Sequence, residues 1–414
     1  MSDDPLALPQ VSESRLMARL EALAEIGDTG DGGCARLALT DEDRAGRDLV
    51  VGWMEDLGLE VTVDGIGNVV ATQPGFDSEI APVMCGSHID TVRTGGRYDG
   101  NYGVLAGLEV IEAVQTAGLE LARPLAVAFF TDEEGARFAP DMLGSLAYAG
   151  GIGVEDALDI VGIDGVTVGD ELRRIGYAGG APLPGRAPHA FVEVHVEQGP
   201  VLEAEGLTIG AVTGVQGISW QEITISGQSN HAGTTPMSMR HDAGFAAFAI
   251  GAFVRGLAIE IGPPQVGTVG KIDLEPNLVN VVARTARLTV DLRNTDETEL
   301  ESAESKLVAC LGELAEREGV TIERRTLARF EPVAFDDRMI DLVEATAERL
   351  GLKVRRLPSC PAPDGDGVRP LGRWHLPQPR RVHVAGRPDG RNPGAARGDV
   401  PPRVGPHRSR SALR

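Results

Sequence analysis

Cysteine is scarce in this sequence: Cys34, Cys85, Cys310 and Cys360 are scattered through 414 residues with no C-x-x-C spacing. That excludes a thiolate zinc cluster and gives no disulfide framework, so reduced thiols are expected. No basic, apolar and small-residue leader opens the chain. The most apolar stretch, Ala243 to Ile261, carries Arg255 and is expected to be a buried helix rather than a membrane span. A cytoplasmic protein is the expectation. Positive charge is also short, with 39 Lys and Arg against 61 Asp and Glu and a net charge of −22. Such a surface repels polyphosphate and anionic lipid, which argues against nucleic acid and membrane as partners and leaves metal cations and small substrates. No internal repeat is evident.

The deficit of positive charge is not uniform. From Val354 to the end there are 13 Arg and no Lys against Asp364, Asp366, Asp389 and Asp399, a local balance of +9 that leaves −31 for the preceding 353 residues. This tail has no Ile, Phe, Tyr, Met or Glu, and Pro and Gly are frequent. It lacks the apolar periodicity that builds a core, so residues 358–414 are expected to be disordered.

What is present upstream fits two domains. Helical spacing runs from Val11 to Ile26, and a second helix is predicted to start at Thr40, an N-cap followed by acids. After Gly58 the pattern alternates strand and helix: Val61–Val63, Asn68–Ala71, Pro82–Cys85, the helix Val104–Val114, the strand Leu125–Phe130 and the strand Phe191–His195. That order predicts an α/β fold with a mixed, mostly parallel sheet flanked by helices. From Ile209 the character shifts to strands Ala211–Val215 and Gln221–Ile225, a long helix Asp242–Ile261, strands near Thr268–Ile272 and Arg287–Asp291, and the helix Glu297–Glu318. A small α+β sandwich inserted into the larger domain is the simplest account. The expected segments are 1–208 for the first part of the large domain, 209–325 for the insertion, 326–357 for its second part and 358–414 for the tail.

Acids and histidines concentrate at predicted strand ends. In G-S-H-I-D-T, His88 and Asp90 are i and i+2 residues on one face; an imidazole there would bind metal while the carboxylate holds its other ring nitrogen or steadies the catalytic acid. The loop Gly95–Gly103 lacks the Lys-Ser/Thr ending of a phosphate cradle, and glycines flanking Asp99 suit a carboxylate that approaches two ions, a bridging ligand. The strand Leu125–Phe130 runs into Asp132-Glu133-Glu134, whose adjacent glutamates leave in opposite directions, so that one can ligate and the other can work on water. Its place at the carboxyl edge of a sheet favours function over a solvated surface. His195 lies on the face opposite Val194 and Val196. Each segment alone reads equally as structure. In succession they supply a ligand set acceptable to Zn, Mn, Co or Ni, and paired ions about 3.5–4 Å apart polarise carbonyls and acidify water.

The series G-S-H-I-D-T, G-G-R-Y-D-G, T-D-E-E-G-A-R-F, H-V-E-Q-G-P-V-L-E and S-N-H-A-G-T-T-P-M resembles the N-carbamoyl-L-amino-acid hydrolases, allantoate amidohydrolases and β-ureidopropionases, within the aminoacylase and carboxypeptidase-G-like dimetal hydrolases. The match runs from about Pro9 to about Leu350. The resemblance implies an exopeptidase-like catalytic domain with an inserted ferredoxin-like dimerisation domain, and two divalent ions per subunit. His88 and His195 would bind one ion, Asp99 would bridge and Glu134 would bind the second. Glu133 would be the general base, with Asp90 behind it. His231 would polarise the substrate carbonyl across a homodimer interface, Asn280 and Arg293 would clamp a substrate carboxylate, and Gln198 would line the ureido pocket. The implied reaction hydrolyses the carbamoyl group of an N-carbamoyl-L-amino acid to amino acid, ammonia and carbon dioxide, with allantoate as the runner-up substrate.

The sequence departs from the family after Leu350. The family's G-A-G-H-D-A and G-G-I-S-H-N-P-A-E segments are absent, and the second holds the histidine that completes the second metal site. Codons chosen for Gly372 to Arg381, read one base out of register, spell Ala-Gly-Gly-Ile-Ser-His-Asn-Pro-Ala. A frameshift near residues 360–368 is therefore expected, with His375, His383 and His407 on no strand, one ion retained and little activity.

Overall fold

The computed structural model describes residues 9–359 together with a strand over 381–386; the rest of the expected tail lies outside the described residues. Chain-local signals set the first elements. Helix α1 (Glu13–Ala24) starts where the Ser12 hydroxyl accepts the Arg15 N–H. Helix α2 (Asp41–Asp56) starts at Thr40, whose hydroxyl accepts the Asp43 N–H, as the cap pattern predicts. There follow β1 (Glu60–Val63), β2 (Val69–Gln73), β3 (Val83–His88), α3 (Asn101–Thr116), β4 (Leu125–Phe130), α4 (Leu143–Tyr148), α5 (Val154–Leu158), α6 (Val168–Ile175), β5 (Ala190–His195), α7 (Val201–Glu205) and β6 (Ile209–Val215).

The chain then forms β7 (Gly217–Ser226), α8 (Ala243–Ile261), β8 (Val266–Thr268), β9 (Ile272–Glu275), β10 (Thr285–Asn294), α9 (Glu297–Glu318) and β11 (Thr321–Phe330), before β12 (Val333–Ala334), α10 (Asp337–Arg349), β13 (Val354–Ser359) and β14 (Arg381–Gly386). Two sheets result. The larger has nine strands in the order β1-β2-β4-β3-β5-β14-β6-β12, with β13 also on β6; the smaller has five, β11-β7-β10-β8 with β9 on β10.

The interior follows the patterning. Val69, Ala71, Val127 and Phe129 on the large sheet pack with Val104, Leu105, Leu108 and Ile111 of α3 in one core. In the small sheet Ile223, Ile225, Ala286, Leu288, Val290 and Leu292 face α8 and α9 in a second. Helix α8 is long and apolar enough to cross a membrane by length and composition, but Ala243, Ala246, Ala247, Ile250, Val254 and Leu257 are buried in that second core.

Three expectations need correction. The large sheet is mixed but not mostly parallel: β3–β4, β3–β5, β5–β14 and β6–β13 are parallel, and β1–β2, β2–β4, β6–β14 and β6–β12 antiparallel. Parallel pairing is concentrated where helical crossovers return the chain in the same direction, as α3 does between β3 and β4. The insertion does not begin at 209. β6 belongs to the large sheet, and the change of sheet happens at Gln216, where no turn residue marks it. Lastly, residues 358 and 359 end β13, and β14 lies within the expected tail, so His383 is on a strand, paired with Glu193 of β5. The gap between β5 and β6 offers an unpaired edge on either side, and the short alternation Val382-His383-Val384 is enough to fill it.

Candidate metal centre

The parallel centre of the large sheet delivers its strand ends to one place. β3 ends on His88 and β5 ends on His195, while the loop entering α3 brings Asp99. One ligand atom from each of these three residues lies within 4.8 Å of the others, with the two imidazole centroids 6.4 Å apart. Gly100 makes the approach possible. Its φ is +63°, and a Cβ there would sit 2.4 Å from the His88 ring, so only glycine lets the loop lie on the imidazole.

Each imidazole has one nitrogen occupied by main chain. His88 Nδ1 is 2.9 Å from the Asp90 carbonyl, and His195 Nδ1 is 2.8 Å from the Val196 carbonyl. A carbonyl only accepts, so both Nδ1 atoms carry protons, and in the neutral ring both Nε2 atoms present lone pairs. His195 Nε2 lies 3.1 Å from Asp99 Oδ1, and Asp99 Oδ2 accepts from Gln198 Nε2 at 2.6 Å. Asp99 Oδ1 is buried without a well-formed hydrogen bond. An orphaned carboxylate oxygen facing imidazole lone pairs is the donor set that a borderline divalent cation fits.

The T-D-E-E turn completes the wall. Glu133 Oε2 is 3.3 Å from His88 Nε2. Asp90 is buried, and its carboxylate accepts the N–H of Glu133 and of Glu134, each at 3.2 Å, while its distance to His88 Nδ1 is 3.8 Å. Of the two roles open to Asp90, the geometry favours steadying the acidic turn over holding the imidazole. Asp132, to which the sequence assigned no role, has φ +54° and is fully buried; Gln198, in the loop after His195, has φ +53°. Left-handed non-glycine backbone costs about 1–3 kcal/mol and is concentrated in loops that function holds in place.

The acids and imidazoles tune one another. Burial by itself would lower the His88 pKa, but the fields of Glu133, Asp90, Glu134 and Asp99 outweigh it and raise the ring to about 10. At His195 burial is likewise outweighed, by Asp99 and Glu193, and the ring rises to about 9. Burial lifts Glu134 to about 8 and raises Glu133 and Asp90, while Asp99 is held below the usual carboxylate range because His195, His88 and Gln198 outweigh its burial. These values belong to the metal-free cluster, where protons stand in for cationic charge.

Glu134 is not one of the converging group, although its backbone is held against Asp90. His231, Asn280 and Arg293 belong to the small-domain segments. His231 pairs with Val281, and Ala232 N–H donates to the Asn280 carbonyl, so these two exposed residues are neighbours. Arg293 is buried on β10, where Asp291 accepts from its Nε and Nη2 at 3.0 and 2.9 Å and Trp220 lies 5.8 Å beneath it. Asp291 was missed, though its i, i+2 spacing to Arg293 is the signal that singled out His88 and Asp90.

Comparison with known proteins agrees with this architecture. Residues 84–369 match the model of peptidase family M20/M25/M40. The N-carbamoyl-L-amino-acid amidohydrolase of Rhizobium meliloti is 41% identical over 342 residues, 83% of this chain and 82% of that protein. The enzyme of the same description from Geobacillus stearothermophilus is 36% identical over 366 residues, 87% and 89% of the two chains. A crystal structure of an amidase of the hydantoinase/carbamoylase family from Burkholderia multivorans superposes with a TM-score of 0.85 at 41% identity, covering 91% of this chain and 90% of that one. With most of its length matched in both sequence and fold, the chain belongs to peptidase family M20/M25/M40, alongside N-carbamoyl-L-amino-acid amidohydrolases.

Proposed function

We propose that this chain is built to hydrolyse N-carbamoyl-L-amino acids in the cytoplasm, water and the ureido group giving amino acid, ammonia and carbon dioxide. The observation that carries the reading is the convergence of His88, Asp99 and His195 beside Glu133, in a chain whose relatives bear that activity. His88, Asp99 and His195 are the residues to hold a first divalent ion, with Asp99 shared and Glu134 left for a second. Such an ion, when bound, supplies Lewis acidity and lowers the pKa of water.

The protein's own groups do the rest. Glu133, whose pKa burial raises, is the proposed base that takes a proton from water and, once protonated, hands it to the leaving nitrogen. Asp90 fixes where Glu133 points by binding the N–H groups at the turn. Gln198, which donates to Asp99, is the residue proposed to donate to the ureido oxygen. Arg293 and Asn280 are the carboxylate clamp and His231 the carbonyl donor. Exposure of His231 and Asn280 on the small domain, near exposed Met237, Met239, Leu278 and Val279, supports their use from a second subunit of a homodimer.

His88, Asp99 and His195 would supply three ligands to one ion, while only Asp99 and Glu134 would remain for another, because the family's later histidine segment is missing from the sequence. The chain as written therefore retains one ion and turns over slowly. The test is ammonia release from N-carbamoyl-L-amino acids, with allantoate alongside, in the presence of Mn, Co, Ni or Zn. Robust turnover of allantoate alone, or turnover undiminished by Glu133→Gln, would overturn the reading.

A further inference from the structure

Arg36 is fully buried, yet its guanidinium is met chiefly by main-chain carbonyls rather than by a carboxylate. Its hydrogen bonds join three pieces of chain. Nε donates to the Ile89 carbonyl at 2.7 Å, between His88 and Asp90. Nη2 donates to Asn101 Oδ1 at 2.9 Å, two residues beyond Asp99, and Asn101 in turn donates to the Arg97 carbonyl at 3.2 Å. Nη1 donates to the Leu23 and Ile26 carbonyls at the end of α1, at 2.9 and 2.7 Å. Main chain reinforces the link: Arg36 N–H donates to Thr91 Oγ1 at 2.7 Å, and Thr91 N–H returns to the Arg36 carbonyl at 2.9 Å. On α2, Gly46 leaves room for the stem, since a Cβ there would lie 2.9 Å from Arg36 Cδ.

We propose that Arg36 is a positioning residue for the metal centre, a planar brace that sets the separation between the His88 loop and the Asp99 loop. This rests on the metal-centre reading above. Burying a guanidinium is costly unless its donors are satisfied, and here they are satisfied almost wholly by carbonyls of the two ligand-bearing loops and of the helix behind them. Only a fork of fixed geometry reaches all three at once; an ammonium at the same place is a point donor and cannot. Both segments belong to the single connection between β3 and α3, and Arg36 ties the start of that connection, beside His88, to its end, beside Asp99.

The test compares Arg36→Lys and Asn101→Ala with Arg47→Lys in the full chain. Arg47 is equally buried, but it bonds Asp43, the Gly67 carbonyl and Thr131 rather than either ligand loop. Hydrogen exchange of the metal-free proteins reads the brace, and titration with zinc reads its consequence. The expectation is faster exchange confined to residues 88–91 and 99–101 in the first two variants, with zinc affinity about 10–100-fold weaker, the usual range for outer partners of a ligand. Arg47→Lys is expected to lower the urea midpoint but keep zinc affinity within about threefold, a change well short of that range. Unchanged exchange in both loops, or an equal loss of affinity in Arg47→Lys, would overturn the brace. A wild-type chain that takes up no zinc would overturn the metal reading instead, and the exchange data decide the brace independently of it.

Discussion

At the carboxyl edge of the nine-stranded sheet, His88, Asp90, Asp132 and Glu134 are buried; on the small domain His231 and Asn280 stand exposed, beside Met237, Met239, Leu278 and Val279. The first group is held by contacts within the chain. Its imidazole Nδ1 atoms are held by main-chain carbonyls, while among the described residues Asp99 Oδ1 and both carboxylate oxygens of Asp132 are left without a hydrogen bond. The second group is aimed outward and has no reacting atoms of its own. Burial makes chemistry at the first site by shifting pKa values, whereas exposure at the second preserves the ability to meet something that arrives. That difference is what the proposed division of labour, water activation at the first site and substrate reception at the second, rests on.

Removing the base would cut deepest into the first site. Glu133→Gln is expected to lower the rate of ammonia release by about 10²–10⁴-fold while leaving zinc affinity nearly unchanged, the range that a positioned acid–base group supplies. Equal losses of rate and of zinc affinity would mean that Glu133 is a ligand. Next in size, restoring the other reading frame after residue 360 together with the missing G-A-G-H-D-A segment is expected to raise turnover on the order of 10³-fold, several kcal/mol of charge stabilisation from a completed second ion. A chain equally active before and after repair would show that residues beyond 359 already supply a ligand.

The outward set can be tested by mixing. His231→Ala alone should lose activity, but combined with Glu133→Gln in hybrid dimers it should recover about a quarter of the full rate, because half of randomly paired dimers carry one intact composite site. No recovery on mixing would place His231 in its own subunit's site or outside catalysis.

A subtler contrast lies in pH. Folded His88 and His195 titrate at about 10 and about 9, above the ordinary 6.5, so their stabilising contribution is complete below about pH 6.5 and is lost as pH rises through those values. Glu134, raised to about 8 from an ordinary 4.5, loses its contribution over the intervening range. The metal-free protein should therefore melt at progressively lower temperature from about pH 6.5 to about pH 10. Zinc requires neutral imidazoles and should bind more tightly along the same interval, with proton release. A melting temperature independent of pH in the metal-free protein would contradict the cluster's electrostatics.

The smallest effect belongs to the small domain. Asp242, the N-cap of α8, accepts the Phe245 N–H at 3.0 Å, and Asp242→Ala should cost about 1 kcal/mol in urea unfolding without touching zinc affinity.

Much of this was legible in advance, for reasons that differ by residue. His88, Asp99 and His195 could be picked out because each follows an apolar strand or opens a glycine-rich turn. Thr40 announced its helix because capping is settled within four residues of chain. The role of Asp90 was left between two readings because it depends on whether a carboxylate turns toward its own strand or the next. Arg36 gave no signal, since a charged residue between Ala35 and Leu37 looks like surface until α1, α2 and two loops close around it. β14 was hidden by averaging, as a three-residue alternation vanishes in a tail rich in Arg, Pro and Gly.

By itself the sequence determined the elements and the chemical types available: alternation for strands, caps for helices, and a stock of imidazoles and carboxylates at strand ends. Only the tertiary structure decided that His88 and His195, far apart in the chain, share one carboxylate, that β6 leaves the insertion for the large sheet, and that five acids, Glu133, Asp90, Glu134, Asp99 and Glu193, lift two imidazoles far above their ordinary titration range. Propensity and capping act over a few bonds. Proximity and desolvation act through space, and they come into being only when the strands have paired.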